Sequence, residues 1–159
     1  RNNMKEKAEH YTVVDLLRND LSMIADEVTL DEFQKIDFLK TKQKNLLAMS
    51  SEISGKLKPE FQGKIGSIMK TVLPAGSVLG SPKPKTLEII LEAENYSRGF
   101  YTGVCGWFDG ENLDSCVIIR FIEKENDKLY FKSGGGITHL SNFADEYQEM
   151  KNKIYVPIY

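Results

Sequence analysis

From Met4 to about Asp26, apolar residues recur at Ala8, Tyr11, Val14, Leu17, Leu21 and Ile24. Steps of three and four residues place them on one face of a helix. Asn2 or Asn3 reads as the N-cap of that helix, and Glu6 sits early enough to favour its dipole. From Val28 to Leu57 the texture shifts to short runs, VTLDEF, KIDFL and NLLAMSSEISGKL, which predict strands. Pro59 suits the first turn of a helix running through Ile65, Ile68, Met69 and Val72. The segment LPAGSVLGSPKPK, broken by prolines and glycines, predicts a loop. A helix over TLEIILEAENY follows, with Leu87, Ile90, Leu91 and Tyr96 inward and Gly99 suited to the left-handed cap.

Beyond Gly99 the chain turns to strand chemistry. FYTGVCGWF, LDSCVIIRFIE and KLYFKSGG, separated by the turn signals DGEN and ENDK, predict an antiparallel meander. A last helix starts at Asn142, with Phe143, Tyr147 and Met150 on one face. Helix, strands, helices, meander and helix in that order make an α+β chain rather than an alternating βαβ one.

Composition narrows the function without naming it. At 159 residues the chain is long enough for one domain with a core, and 41% hydrophobic with 28% charged residues is ordinary globular content. A formal net charge of −2 argues against nucleic-acid binding. The cluster Lys40, Lys42 and Lys44 reads as a solvated strand or turn. No apolar run approaches the ~20 residues that span a bilayer, and no secretory signal opens the chain. Cys105 and Cys116 sit in apolar runs and read as buried free thiols of a cytoplasmic protein. The chain opens on RNNMKEKAEH and closes on KIYVPIY, so both ends read as cut from a longer polypeptide.

Several residues could carry chemistry. Glu6 and Glu9 lie one turn apart on the first helix, and Glu146 and Glu149 repeat the spacing on the last, followed by Lys153. Such pairs, brought together, make an all-oxygen site suited to Mg²⁺; apart, they are solvated surface. Gly134, Gly135 and Gly136 let backbone approach a ligand and aim amides at an anion, or form a flexible turn. Alternation puts Cys116, Ile118 and Arg120 on one strand face. Arg120 there needs a carboxylate partner, either a ligand's or the protein's own. His10 and His139 lack catalytic spacing, and MSSEIS lacks a nucleophile elbow.

Longer strings go further. KEKAEHYTVVDLLRNDL resembles the KExAEHxMLVDLxRNDL segment of the anthranilate and aminodeoxychorismate synthase large subunits. LPAGSVLGSPKPKTLEII resembles their FPAGSxTGAPKxRAMEII, RGFYTGVCGWFD their RGxYxGxxGY, and SGGGIT with EYQEMKNK their GGGI and EYxExxxK. The blocks occur in family order and cover most of the chain outside residues 26–64. The resemblance implies a chorismate-binding enzyme with an anthranilate synthase-like α/β sandwich of antiparallel sheets. Residues 1–159 would be the C-terminal portion of that single catalytic domain.

Carried over by position, the resemblance makes Glu6, Glu9, Glu146 and Glu149 Mg²⁺ carboxylates, with Glu9 and Glu149 direct and the others acting through water. Arg120, Lys153 and the amides of Gly134, Gly135 and Gly136 would hold chorismate's carboxylates. Tyr101 and Ser77 would line the substrate. Arg18, Asn19 and Asp20 would tie the first helix to neighbouring loops, with Lys83 structural or behind the substrate residues. A separate glutamine amidotransferase subunit would supply ammonia.

The doublet Leu16-Leu17 before RND and the AMSSEISG strand resemble the aminodeoxychorismate version more than the anthranilate one. The resemblance thus implies amination of chorismate to 4-amino-4-deoxychorismate, in folate biosynthesis, with anthranilate synthase as the alternative. Ala48 replaces a polar family position, and SMIADEVTL suggests a shortened loop. The family's general-acid glutamate and PIKGT-type loop would lie upstream of Arg1, so the 159 residues alone are expected to be inactive.

Overall fold

The computed structural model describes residues 4–40 and 45–156, the side chains of residues 4–6 and 46 excepted. The chain divides into two compact units, Arg1–Ala93 and Glu94–Tyr159.

In the first unit, helix α1 (Met4–Ile24) follows the predicted periodicity; its proposed caps, Asn2 and Asn3, lie outside the described residues. Strands β1 (Ala25–Leu39) and β2 (Leu46–Leu57) pair antiparallel. VTLDEF and KIDFL are therefore one long strand, not two short ones. Register shifts interrupt it, and Glu27 and Gln34 take left-handed φ values of 53° and 55° within two of them, the signature of bulges. Of the lysine cluster, Lys40 is exposed, and Lys42 and Lys44 lie outside the described residues.

Pro59 opens only a short 3₁₀ turn, Pro59–Phe61. Gly63, at φ 68°, separates it from α2 (Ile65–Val72), so the single predicted helix is two pieces. The predicted loop is partly helical as well. A four-residue turn, α3 (Gly76–Leu79), fits between its breakers, and α4 (Lys83–Ala93) begins within KPK, using Pro84 in its first turn. On α4, Leu87 and Ile90 are half-buried, whereas Leu91 is 69% exposed. Leu91 lies one position round from Ile90, off the covered stripe. Among the described residues of this unit, Val14, Ile24, Ala25 and Leu79 are the buried apolar ones, where α1 packs on the hairpin and on α2 and α3.

In the second unit, α4's predicted continuation to Tyr96 is absent; Tyr96 is 55% exposed. Gly99 keeps a left-handed φ of 59°, but in the turn leading to β3. Strands β3 (Val104–Phe108) and β4 (Leu113–Val117) form one hairpin, and β5 (Phe121–Glu125) and β6 (Lys128–Lys132) another. The predicted middle strand LDSCVIIRFIE is broken at Arg120, whose φ is 51°. The alternation of Cys116, Ile118 and Arg120 on one face therefore stops at Val117. Helix α5 (Phe143–Asn152) begins where predicted, with the Asn142 side chain accepting from the amides of Ala144 and Asp145.

The elements are those of an α+β fold. No helix among the described residues is long and apolar enough to cross a membrane.

Candidate functional site

In Arg1–Ala93, one buried carboxylate joins three elements. Asp20, 5% exposed, ends the RND string of α1. Its Oδ2 accepts from the Gly76 amide at 2.7 Å, and its Oδ1 lies 2.6 Å from the Lys83 ammonium. Lys83 also donates to the Val72 carbonyl at 2.8 Å. A Cβ on Gly76 would fall 2.9 Å from Asp20 Oδ2, so the PAGS turn reaches the carboxylate only as glycine. This is the structural tie expected of the RND string; Arg18 takes no part, lying exposed 3.9 Å from Asp15. Ser77, next in α3, is exposed.

His10 Nε2 lies 2.7 Å from Ser51 Oγ, with its ring tilted against Phe33, a packing role. Glu9 is half-buried on α1; the side chain of Glu6 lies outside the described residues. An open groove of about 550 Å³ runs beside α1, lined by Tyr11, Asp15, Asn19 and Ser81 among others. None of the expected site residues lines it, so size does not make it the candidate.

In Glu94–Tyr159, polar groups converge on bare backbone. Glu146, in the first turn of α5, is 8% exposed, and its Oε1 accepts from the Ser141 hydroxyl at 2.7 Å. One turn on, Glu149 pairs with Lys153 at 2.7 Å. The glycine run passes alongside. A Cβ on Gly135 would meet Glu146 Oε2 at 3.8 Å and Lys153 Nζ at 4.0 Å, which puts a carboxylate and an ammonium beside that one residue. A Cβ on Gly134 would collide with the Tyr101 hydroxyl. Gly136 is exposed, with nothing near its own Cβ position.

A cleft of about 330 Å³ opens here, lined by Gly135, Ser141, Glu146, Tyr147 and Met150, with Ile137 and Phe143 at its edge. Tyr101 is half-buried, and burial above all holds its phenol above the ordinary value. The charges of Arg98 and Arg120 pull the other way. Arg120 itself is exposed at the bend, does not line the cleft and has no ion-pair partner among the described residues. Its expected need for a partner rested on a strand position the bend removes. His139 is exposed.

The donors of α5 suit a hard cation. Two carboxylates one turn apart, one of them immobilised by burial and a hydroxyl, are the oxygen ligands Mg²⁺ takes, with water completing the shell. They are a partial set: among the described residues no three His, Cys, Asp or Glu side chains are grouped closely enough to hold a metal. Lys153 and the backbone at Gly135 complement an anion.

Cys105 and Cys116 correct the reading of the sequence outright. Both are exposed, and they face each other across β3 and β4. The turn could have revealed them. Asp109–Asn112 closes the hairpin with Phe108 opposite Leu113, and counting back three places sets Cys105 opposite Cys116.

With this geometry in view, comparison with known proteins is decisive about class. The model of the family described as chorismate binding enzyme matches residues 1–158, and the chain belongs to that family. It is 54% identical over 156 residues to an uncharacterized PabA-like protein of Haemophilus influenzae, covering 98% of this chain and 48% of that protein. Identity is 37% to the anthranilate synthase component 1 of Saccharomyces cerevisiae, over 97% of this chain and 30% of that one. It is 35% to the aminodeoxychorismate synthase component 1 of Bacillus subtilis, over 96% and 32%. The crystal structure of anthranilate synthase component I from Streptococcus pneumoniae superposes with a TM-score of 0.81 at 32% identity, over 96% of this chain and 34% of that one. The chain thus spans half or less of the length of these relatives.

Proposed function

We propose that the chain carries the Mg²⁺- and chorismate-binding part of aminodeoxychorismate synthase component I, which aminates chorismate to 4-amino-4-deoxychorismate. The observation that carries the reading is the bare backbone of Gly135 in the α5 cleft, with buried Glu146 and the Lys153 ammonium both beside it.

Each residue has a task in that reaction. Lys153 and the amides of Gly134, Gly135 and Gly136 bind the carboxylates of dianionic chorismate and fix the ring for attack. Tyr101, a protonated phenol at neutral pH, donates to the substrate rather than repelling it. Arg120, at its exposed bend, adds a cation for a carboxylate, and Ser77 adds a hydroxyl. By their match to the family motifs, Glu9 and Glu149 would be the direct Mg²⁺ ligands, with Glu6 and Glu146 acting through water. When bound, Mg²⁺ offsets the charge of the ring carboxylate and draws electrons toward it. Ser141 keeps the Glu146 carboxylate oriented. A glutamine amidotransferase supplies the ammonia, and the setting is cytoplasmic.

Leu16-Leu17 and AMSSEISG favour this product. Anthranilate synthase is the second reading, supported by the Saccharomyces cerevisiae and Streptococcus pneumoniae relatives. Incubating the full-length polypeptide with chorismate, Mg²⁺ and ammonium, and separating the products, tests both. 4-Amino-4-deoxychorismate supports the first reading, and anthranilate replaces it with the second. No chorismate consumption under either ammonium or an amidotransferase partner overturns the enzyme reading.

A further inference from the structure

The thiols of Cys105 and Cys116 have no task in chorismate chemistry, yet their placement is specific. They occupy one register pair of the β3–β4 hairpin, and their sulfurs lie 3.5 Å apart. The next pair along holds the two strands close. A Cβ on Gly106 would fall 2.6 Å from the Asp114 carbonyl oxygen and 3.0 Å from Ser115 Cβ, so only glycine permits that approach. Directly opposed residues in an antiparallel pair have Cβ atoms about 4.5–5.5 Å apart, near the spacing a disulfide bridges. Bringing the sulfurs to about 2.05 Å therefore takes side-chain rotation and a small local adjustment, not separation of the strands. Both residues are exposed, so a small reagent can reach them.

We propose that Cys105 and Cys116 form a thiol–disulfide exchange site whose ligand class is low-molecular-weight disulfides, with an intrachain cross-strand disulfide as product. One protein thiolate attacks a sulfur of the small disulfide, forming a mixed disulfide and expelling one small thiolate. The second protein thiol loses its proton to solvent and attacks the protein-side sulfur, expelling the other. Two protein thiols are oxidised by two electrons, and one small disulfide is reduced to two thiols.

The proton distribution suits this order. Cys116 is held above the ordinary thiol value, first by its hydrogen bond to Cys105 and then by the charge of Cys105, with burial and Asp114 adding to it. The second proton of the pair is thus harder to remove than the first, so one sulfur attacks while its neighbour waits as the thiol. Once the attacking sulfur is capped in the mixed disulfide, the hydrogen bond and charge it supplied vanish and its neighbour is released to resolve it.

The experiment uses the purified protein, equilibrated against glutathione disulfide, acid-quenched and digested with trypsin. Residues 99–120 form one tryptic peptide containing both cysteines, with no lysine or arginine between them. The expected result is loss of two hydrogen masses from this peptide, with no retained tripeptide. Cutting at the acidic residues between the cysteines should then yield two linked fragments. Cys116→Ser should instead retain one tripeptide on Cys105. Emission from Trp107, two residues from Cys105 on the same strand, should fall as the wild-type bond closes and recover under dithiothreitol. A wild-type peptide that keeps two tripeptides, links to a second molecule, or stays reduced where Cys116→Ser is modified would overturn the proposal. The wild-type mass alone decides the matter should the variant fail to fold.

Discussion

In Arg1–Ala93 the buried charge joins elements to each other; in Glu94–Tyr159 the charges surround open backbone. Asp20 meets an amide and an ammonium within 2.7 Å, and both partners belong to the protein. Glu146 is almost as buried, yet Gly135 beside it carries no side chain and a cleft opens at that point. The first arrangement locks loops together. The second leaves bare backbone beside a carboxylate and a cation at the edge of a cleft, and that contrast separates a structural ion pair from a candidate site better than burial does.

The contrast can be broken from either side. Asp20→Ala should have the largest effect on stability, because it leaves Lys83 and the Gly76 amide without their shared partner. A loss of about 3–5 kcal/mol is expected in urea denaturation. Gly134→Ala should act on function instead. Its Cβ collides with the Tyr101 hydroxyl, and displacing the proposed substrate residues by about 1 Å should lower kcat/KM for chorismate by about a hundredfold with little change in stability. The same change in a Tyr101→Phe background should cost less, since the colliding oxygen is gone.

The smallest effect concerns Glu94 and Arg98, a two-bond pair in which both side chains are about one-quarter exposed. The Arg98 hydrogen bond holds Glu94 below the ordinary carboxylate value, against the opposing effect of burial. A depressed folded pKa contributes stability above the unfolded value. Glu94→Gln should therefore cost about 1 kcal/mol above roughly pH 4.3, and the difference should vanish as pH falls through the depressed folded value. Denaturation of both proteins across that range checks the sign.

Helices α1 and α5 were legible because three- and four-residue spacing marks a helix, and Asn142 marked the start of α5. The left-handed residues were not. Nothing in CVIIRFI announces that Arg120 turns the chain, and nothing in VTLDEF or KIDFL announces the bulges at Glu27 and Gln34. Prolines and glycines marked the breaks in LPAGSVLGSPKPK but not that four residues between them would close the turn of α3. The placement of Glu146, Glu149 and Lys153 on successive turns of α5 was legible as spacing. The approach of Gly135 to two of them was not, because it depends on where the chain returns after β6.

In the proposed function, the α5 carboxylates hold Mg²⁺ for chorismate turnover. The direct measurement is chorismate consumption by the full-length enzyme against Mg²⁺ concentration, for wild type and Glu149→Ala, with folding checked by circular dichroism. The account predicts saturable Mg²⁺ dependence in the wild type and no turnover at any Mg²⁺ concentration in the variant. A folded Glu149→Ala enzyme with the wild-type rate and the wild-type Mg²⁺ midpoint would contradict it.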